Sequence, residues 1–450
     1  MRENRSWAKG LMANSRVYLK MGFLLALVLV LFVPLQLIEG LIAERMQRRD
    51  TVVDEISRTW GEPQVLKGPV LLIPYRKVTE RQTLLKVELL EDHGQAFWLP
   101  DSLEVRATIV PEVRYRGIFE AIVYTAGLKV SGSFAPPDFA KLDVSPEDLL
   151  WSEAILFLGV SDLRGTTAEP QVTWGDETIS VAPGTGNDLF DTGIHAVVPM
   201  DPANPSPTAF SLNLGLSGSR SIAVTPAGKT TTFEVASSWP HASFAGAYLP
   251  TERSLEGDGF QASWTVSYLG REYPQAWTSA DEGISNLARR IGQSQFGVSL
   301  ISPVDFYLKS ERSAKHGALL IVLIVAAIFI FEIVAPVRIH LFQYALVGFA
   351  LCLFYLLLLS LSETVGFFAA YGLAAAMSTA LITLYLAKAL ASKKRALVIA
   401  GVLAAVYGYL YIVLQLEAFA LVSGAFGLFV ALAAVMYATR NVDWYATIKS

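Results

Sequence analysis

Six apolar runs are long enough to cross a bilayer, and basic residues gather on alternate sides of them. One lies near the start of the chain, from Met21 to about Ile42. The other five crowd the last third, at about Gly317–Val334, Tyr344–Leu361, Phe367–Leu386, Ala396–Val413 and Phe419–Tyr437. Each approaches the ~20 residues that a helix needs to span a hydrocarbon core. Between the first run and the second lies a polar segment, residues 43–312, with a different pattern.

That segment opens helically. Ile42, Met46, Val53, Ile56 and Trp60 fall near one face, so the first helix is expected to continue to Trp60, as a stalk or a packing helix, and to end at Gly61 and Pro63. Short β-type runs follow at Val70–Pro74, Leu84–Leu90, Val105–Tyr115, Ala121–Phe134, Ala154–Val160, Gln171–Val181, Thr230–Val235 and Gln261–Tyr268. Leu212, Leu214 and Leu216 alternate in the same way. Gly, Pro, Asn and Asp punctuate these runs, which predicts a mainly antiparallel β domain. One helix is expected within 281–295, and Pro202–Pro207 reads as a loop. The fold class is therefore a membrane protein: a six-helix transmembrane bundle plus a large, mainly antiparallel β domain outside the membrane.

The charges orient this layout. Arg2, Arg5, Lys9, Arg16 and Lys20 precede the first run. Arg338 follows the second, Lys388, Lys393, Lys394 and Arg395 follow the fourth, and Arg440 and Lys449 follow the sixth. The opposite loops, around Glu363 and Glu417, contain no Lys or Arg. The positive-inside rule then places both termini in the cytoplasm and residues 43–312 outside, with Lys315 as the one departure on a short flank. The expected divisions are a cytoplasmic segment 1–20, a signal anchor 21–42, the external β domain 43–312, a five-helix region 317–437 and a cytoplasmic tail 438–450. Gln36 to Ala43 offers bulky residues where a signal peptidase needs a small-x-small site, so the anchor is read as uncleaved. Pro34 is expected to kink it.

Composition sharpens the picture. The hydrophobic fraction is 53% and the charged fraction only 17%. Residues 43–312 hold 23 Lys+Arg and 34 Asp+Glu, a net of −11, while the remainder holds 13 and 6, a net of +7. An acidic domain is a poor partner for nucleic acid and is repelled by anionic lipid head groups. The single cysteine, Cys352, lies in an apolar run, which leaves the polar segment without a disulfide or a thiolate metal site.

Candidate chemistry is sparse. There is no G-x-S-x-G, no H-E-x-x-H and no P-loop, so neither catalysis nor a cofactor is expected. Asn187, Asp188, Asp191 and His195 have the chemistry of metal ligands, but Gly186 and Gly193 beside them favour a plain loop, and no metal is assigned. Pro183 to Asp188 and Glu91 to Gly94 read as turns. Trp239, His241 and Phe244 form the densest candidate, either a binding edge for peptide or glycan or a buried strand-to-turn corner. In the membrane runs the candidate is Glu332: an ionisable group at that depth is a proton or ion site by default, unless a short helix-end pairing with nearby Arg338 satisfies it. Glu363 and Glu417 are placed in loops. Small residues such as Gly372, Ala376, Gly401, Gly408, Gly424 and Gly427 suit close helix packing.

Several segments, taken in order with this topology, resemble the CreD family of bacterial inner-membrane proteins. They are Gly68–Pro74, Phe97–Leu103, Gly159–Gly165, Pro183–Gly186, Ser238–His241, Gln343–Glu363 and Thr439–Tyr445. The resemblance covers nearly the whole chain and implies a periplasmic location for the β domain, a role in cell-envelope integrity under a two-component regulon, and no established catalytic residues. The expected partners are the lipid bilayer and a periplasmic or inner-membrane protein, with action by binding. An ion-coupled transporter or channel-like protein centred on Glu332 is the alternative.

Overall fold

The computed structural model describes residues 3–440 apart from 84–85, 140–141, 143, 167–168, 203–205, 256, 282, 303–305, 335–336 and 417–418. Glu417, part of the 202–207 loop, Arg2, Lys449 and the tail from Asn441 onward lie outside the described residues. The chain divides into two compact units, Met1–Arg48 with Val304–Ser450, and Arg49–Pro303.

Helix α1 (Glu3–Trp60) contributes to both units. Pro34 lies inside it without ending it, as membrane helices tolerate. The β-rich unit then runs through β1 (Gln64–Thr83), β2 (Lys86–Trp98), β3 (Ser102–Arg116), β4 (Phe119–Phe134) and β5 (Ile155–Val160). Next come β6 (Gln171–Trp174), β7 (Glu177–Ser180), β8 (Ala182–Pro183), β9 (Gly193–Val197), β10 (Thr208–Ser219), β11 (Ser221–Val224) and β12 (Thr230–Ser237). The unit closes with β13 (Ala242–Gly246), β14 (Glu252–Ser254), β15 (Phe260–Ser267), β16 (Ala276–Thr278), helix α2 (Ile284–Gln293) and β17 (Phe296–Leu300).

Two sheets result. One runs β13-β17-β11-β1-β5-β9-β8, with β2 and β16 attached through β1; the other runs β14-β15-β12-β3-β4-β10-β6-β7. Pairing is antiparallel except between β1 and β11 and between β3 and β12. Strands β12 and β15 bury alternate residues, as the pleat dictates. Their inner faces meet those of the first sheet in an aromatic core. Trp264 lies 5.8 Å from Phe296 and 5.7 Å from Phe244 between ring centroids, and Phe233 lies 6.2 Å from Phe296. Leu287 and Ile291 of α2 join the same core.

Two sequence expectations about the β-rich unit are corrected. The run Gln171–Val181 is a hairpin, not one strand: Gly175, at φ 58°, turns β6 into β7. The stretch Glu91–Gly94 is strand interior, with Asp92 opposite Lys77 and His93 opposite Arg76. Gly94 is there because the Tyr75 ring lies over it; a Cβ would come within 2.2 Å of that ring.

The helical unit holds the first part of α1, then α3 (Phe306–Lys315), α4 (Gly317–Val334), α5 (Leu341–Val365), α6 (Phe367–Ala389), α7 (Lys393–Gln415) and α8 (Ala420–Thr439). Five described helices are long and apolar enough to cross a membrane, and six if α3 and α4, bent by 45° at their junction, form one broken span. Helix α1 packs closely here: Leu31 and Leu35 are buried, and Leu31 lies against Gly348. Polar bonds tie neighbouring helices, with Tyr371 Oη donating to Tyr407 O at 2.7 Å and Ser378 Oγ to Ala350 O at 3.2 Å. Such bonds suit an apolar solvent that supplies no hydrophobic drive between helices. Glu363 belongs to the last turn of α5 and not to a loop, because the helix runs past Leu361 to Val365.

Candidate functional site

Glu332 sits in the last turn of α4, and both of its carboxylate oxygens have partners. Lys20 Nζ of α1 lies 2.5 Å from Oε1, which also accepts from the Ile339 backbone N–H at 3.2 Å. Tyr344 Oη of α5 donates to Oε2 at 2.7 Å. Lys20 also donates to Ile339 O at 2.7 Å and lies 5.4 Å from the Tyr344 ring centre. The carboxylate thus joins three helices and carries a counter-charge. Nothing in the sequence around Glu332 points to Lys20, which is 312 residues away.

Glu363 repeats the arrangement at the far end of α5. Its Oε1 accepts from Tyr307 Oη of α3 at 3.0 Å, and Arg45 Nε of α1 lies 3.8 Å away. Each glutamate therefore has one tyrosine hydroxyl and one cation from α1. Lys20 and Arg45 are 25 residues apart, about 37 Å along a helix. That exceeds a hydrocarbon core of ~30 Å and fits within the ~40–45 Å that includes both interfaces. Both clusters belong at helix ends, where a carboxylate is least costly, and hold α1 against α3, α4 and α5.

Trp239, His241 and Phe244 lie at the margin of the first sheet. Strand β13 ends the sheet path, pairing only with β17 among the described residues. Phe244 points inward, edge-on to Phe260 and Trp264, and the Trp239 indole N–H donates to Ile301 O at 2.9 Å. Two of the three rings thus do structural duty. His241 is exposed, as are Ala245 and Gly246 on the outer part of the strand. What the segment presents outward is the edge of β13, which has no second strand partner among the described residues, with an imidazole beside it, and not a flat aromatic platform.

The loop at 183–195 is closed by its own side chains. Asn187 Oδ1 accepts from the Leu189 N–H at 2.8 Å, Thr185 Oγ1 donates to Phe190 O at 2.8 Å, and His195 Nδ1 lies 2.8 Å from Gly184 O. Asn187 makes a turn there. Among the described residues, no group of three His, Cys, Asp or Glu is placed to hold a metal.

Sequence reasoning missed two polar knots. Buried Asp162 accepts from the Glu62 N–H at 3.1 Å and from the Arg164 N–H and Nε at 3.0 and 2.9 Å. Burial alone would raise its carboxyl, but Arg164 and these backbone groups outweigh that and hold it below its ordinary value. Gln64, fully buried beside it, donates to Asp162 O and Ser217 O. Arg271 is the second knot. Its Nη1 donates to Pro226 O at 2.8 Å and Ala227 O at 2.5 Å, and its guanidinium lies 4.8 Å from the Tyr273 ring centre. Burial lowers its affinity for the proton, and carbonyl oxygens compensate for the missing water. Arg164 is only two residues from Asp162, but Glu62, Gln64, Pro226 and Ala227 reach these knots from far along the chain.

Comparison with known proteins follows the same outline. The sequence profile of the family described as Inner membrane protein CreD matches residues 16–445. Inner membrane protein CreD of Escherichia coli is 32% identical over 440 residues, covering 97% of this chain and 95% of its own length. Among solved structures, a mutant M1 zinc metallopeptidase of Deinococcus radiodurans bound to a Tyr-Ser-Ala substrate, and the same metallopeptidase in a second structure, each align at 11% identity and a TM-score of 0.18. Those alignments cover 37% of this chain and 38% of theirs, and carry no weight for fold or activity. With a profile match over nearly its whole length and a full-length relative, this chain belongs to the CreD family of inner membrane proteins.

Proposed function

We propose that this protein contributes to cell-envelope integrity by binding a partner through its β-rich unit, with no catalytic step. Both termini face the cytoplasm, and residues 43–312 face the periplasm. The orientation rests on Lys388, Lys393, Lys394 and Arg395 at the α6–α7 turn, set against the acidic end of α5. The observation that carries the binding reading is the open edge of β13, where exposed backbone invites an extended segment of another protein to add as a strand. The alternative, ion-coupled transport through Glu332, loses support from the lysine, tyrosine and backbone N–H that already occupy that carboxylate.

In-cell photo-crosslinking tests this. A photoreactive residue at His241 or Ala245 should give discrete adducts with periplasmic or inner-membrane proteins, and one at Arg289 on α2 should not. Equal adducts from all three positions, or none, would remove the edge as the contact. Adducts with cytoplasmic proteins would overturn the orientation.

A further inference from the structure

The edge of β13 offers its backbone groups in a fixed order. Ile301 N–H donates to His241 O at 3.0 Å, and Ala247 N–H donates to Gln295 O at 2.9 Å. Between them the register sets Ser243 opposite Ser299 and Ala245 opposite Gly297. Along an antiparallel ladder, hydrogen-bonded and non-hydrogen-bonded pairs alternate. His241, Ser243, Ala245 and Ala247 therefore bond toward β17, and the N–H and C=O groups of Ala242, Phe244 and Gly246 face the other way. Among the described residues, no strand other than β17 pairs with β13.

The layering of the two sheets fixes what a strand added there would lie over. Phe296 of β17 faces Phe233 of β12 and Trp264 of β15, and Phe244 of β13 faces Phe260 and Trp264 of β15. One strand further out, the second sheet has β14 and the first has nothing. Arg253 of β14 stands opposite Ala262, which is buried between Phe260 and Trp264 along β15. Opposed residues share a face of the sheet, so Arg253 leaves β14 on the inner face, at the level of Phe244. Glu252 and Ser254, its neighbours, leave on the outer face. Arg253 is exposed, and its side chain has no partner among the described residues. Phe244 is only half-buried. Open backbone, a half-covered ring and an unpaired guanidinium thus border one vacant strand position. A residue opposite Phe244 in that position would point inward, toward Arg253, and a guanidinium binds a carboxylate with two parallel hydrogen bonds. Building on strand addition at this edge, we infer that the occupant is an extended segment of a partner protein with an aspartate or glutamate opposite Phe244, its carboxylate held by Arg253.

The test is photo-crosslinking in cells from a photoreactive residue at Ala245, whose side chain lies on the other face from Arg253, with the captured peptide sequenced by mass spectrometry. The captured stretch should contain an aspartate or glutamate. Arg253→Glu, at an exposed position, should lower the adduct yield about tenfold. Arg253→Lys should keep more of it than Arg253→Ala. Changing the captured acid to lysine should restore the adduct in the Arg253→Glu protein, a rescue that a misfolded variant would not show. Equal yields from Arg253→Glu and wild-type protein overturn the acidic partner and leave strand addition standing. No adduct from wild-type protein removes the edge, and this inference with it. A captured stretch without an acid, or a second copy of this chain as the adduct, also overturns it.

Discussion

In the β-rich unit Trp264, Phe233 and Phe296 are fully buried, whereas in the helical unit Phe368, Phe426 and Phe429 stand 65–75% exposed. The same side chain is a core residue in one region and a surface residue in the other. Water surrounds the first unit and drives its aromatic rings together at about 25 cal/mol per Å² of apolar surface. In lipid that drive is absent, so apolar rings face outward, and specificity falls to polar pairs such as Lys20–Glu332 and Tyr371–Tyr407. No residue of the Val422–Thr439 apolar window is buried, while more than half of that in α5 is. Helix α5 is the hub of the helical unit, and α8 is its loosest wall.

Matched truncations should expose this contrast most strongly. Trp264→Ala should destabilise the β-rich unit by about 4 kcal/mol, because Phe233, Phe244 and Phe296 lose their shared neighbour. Phe426→Ala, in a lipid-facing position, should change stability by under about 0.5 kcal/mol. Chemical unfolding of the full-length protein in detergent, followed by tryptophan fluorescence and circular dichroism, checks both. Comparable losses would mean that α8 packs against something in solution and would break the comparison.

Asp162→Asn probes the polar side of the β-rich unit. It keeps an acceptor but removes the charge that Arg164 and two backbone N–H groups face, and should cost about 2 kcal/mol at neutral pH. The folded carboxyl lies below its ordinary value of 3.8, so its contribution is complete well above that value and fades as pH falls through the lowered one. The gap between wild type and Asp162→Asn should therefore close in acid; a gap that persists there would assign the knot to shape and not to charge.

Glu332→Gln sharpens the membrane side and should have the smallest effect of these polar changes. Loss of the ion pair with Lys20, while Tyr344 keeps an acceptor, should lower stability by about 1 kcal/mol without loss of membrane insertion. A thermal melt of the purified protein reads this. A normal melt with abolished biological activity would instead revive the transport reading.

Much of this architecture was legible along the chain. The apolar runs fell where helices α4 to α8 lie, and the end of α1 at Trp60 followed from Gly61 and Pro63. Alternation in β10, β12 and β15 identified strands and their inward faces. These features are local, because bilayer thickness sets the length of a span and the pleat sets the period of a strand. Glu332 and the Trp239–Phe244 segment were legible as candidates, but not what surrounds them. The Lys20 partner of Glu332, the Tyr307 partner of Glu363, the Glu62 and Gln64 contacts of Asp162, the Pro226 contact of Arg271, the parallel pairing of β1 with β11, and the position of β13 at a sheet margin all join distant parts of the chain. Such pairings leave no periodic trace in sequence, since they depend on which faces the packed helices and sheets bring together. Sequence determined which solvent each segment would meet; only the tertiary structure decided which polar groups would meet each other, because a buried polar group gains most from a partner where water is absent, and packing chooses that partner.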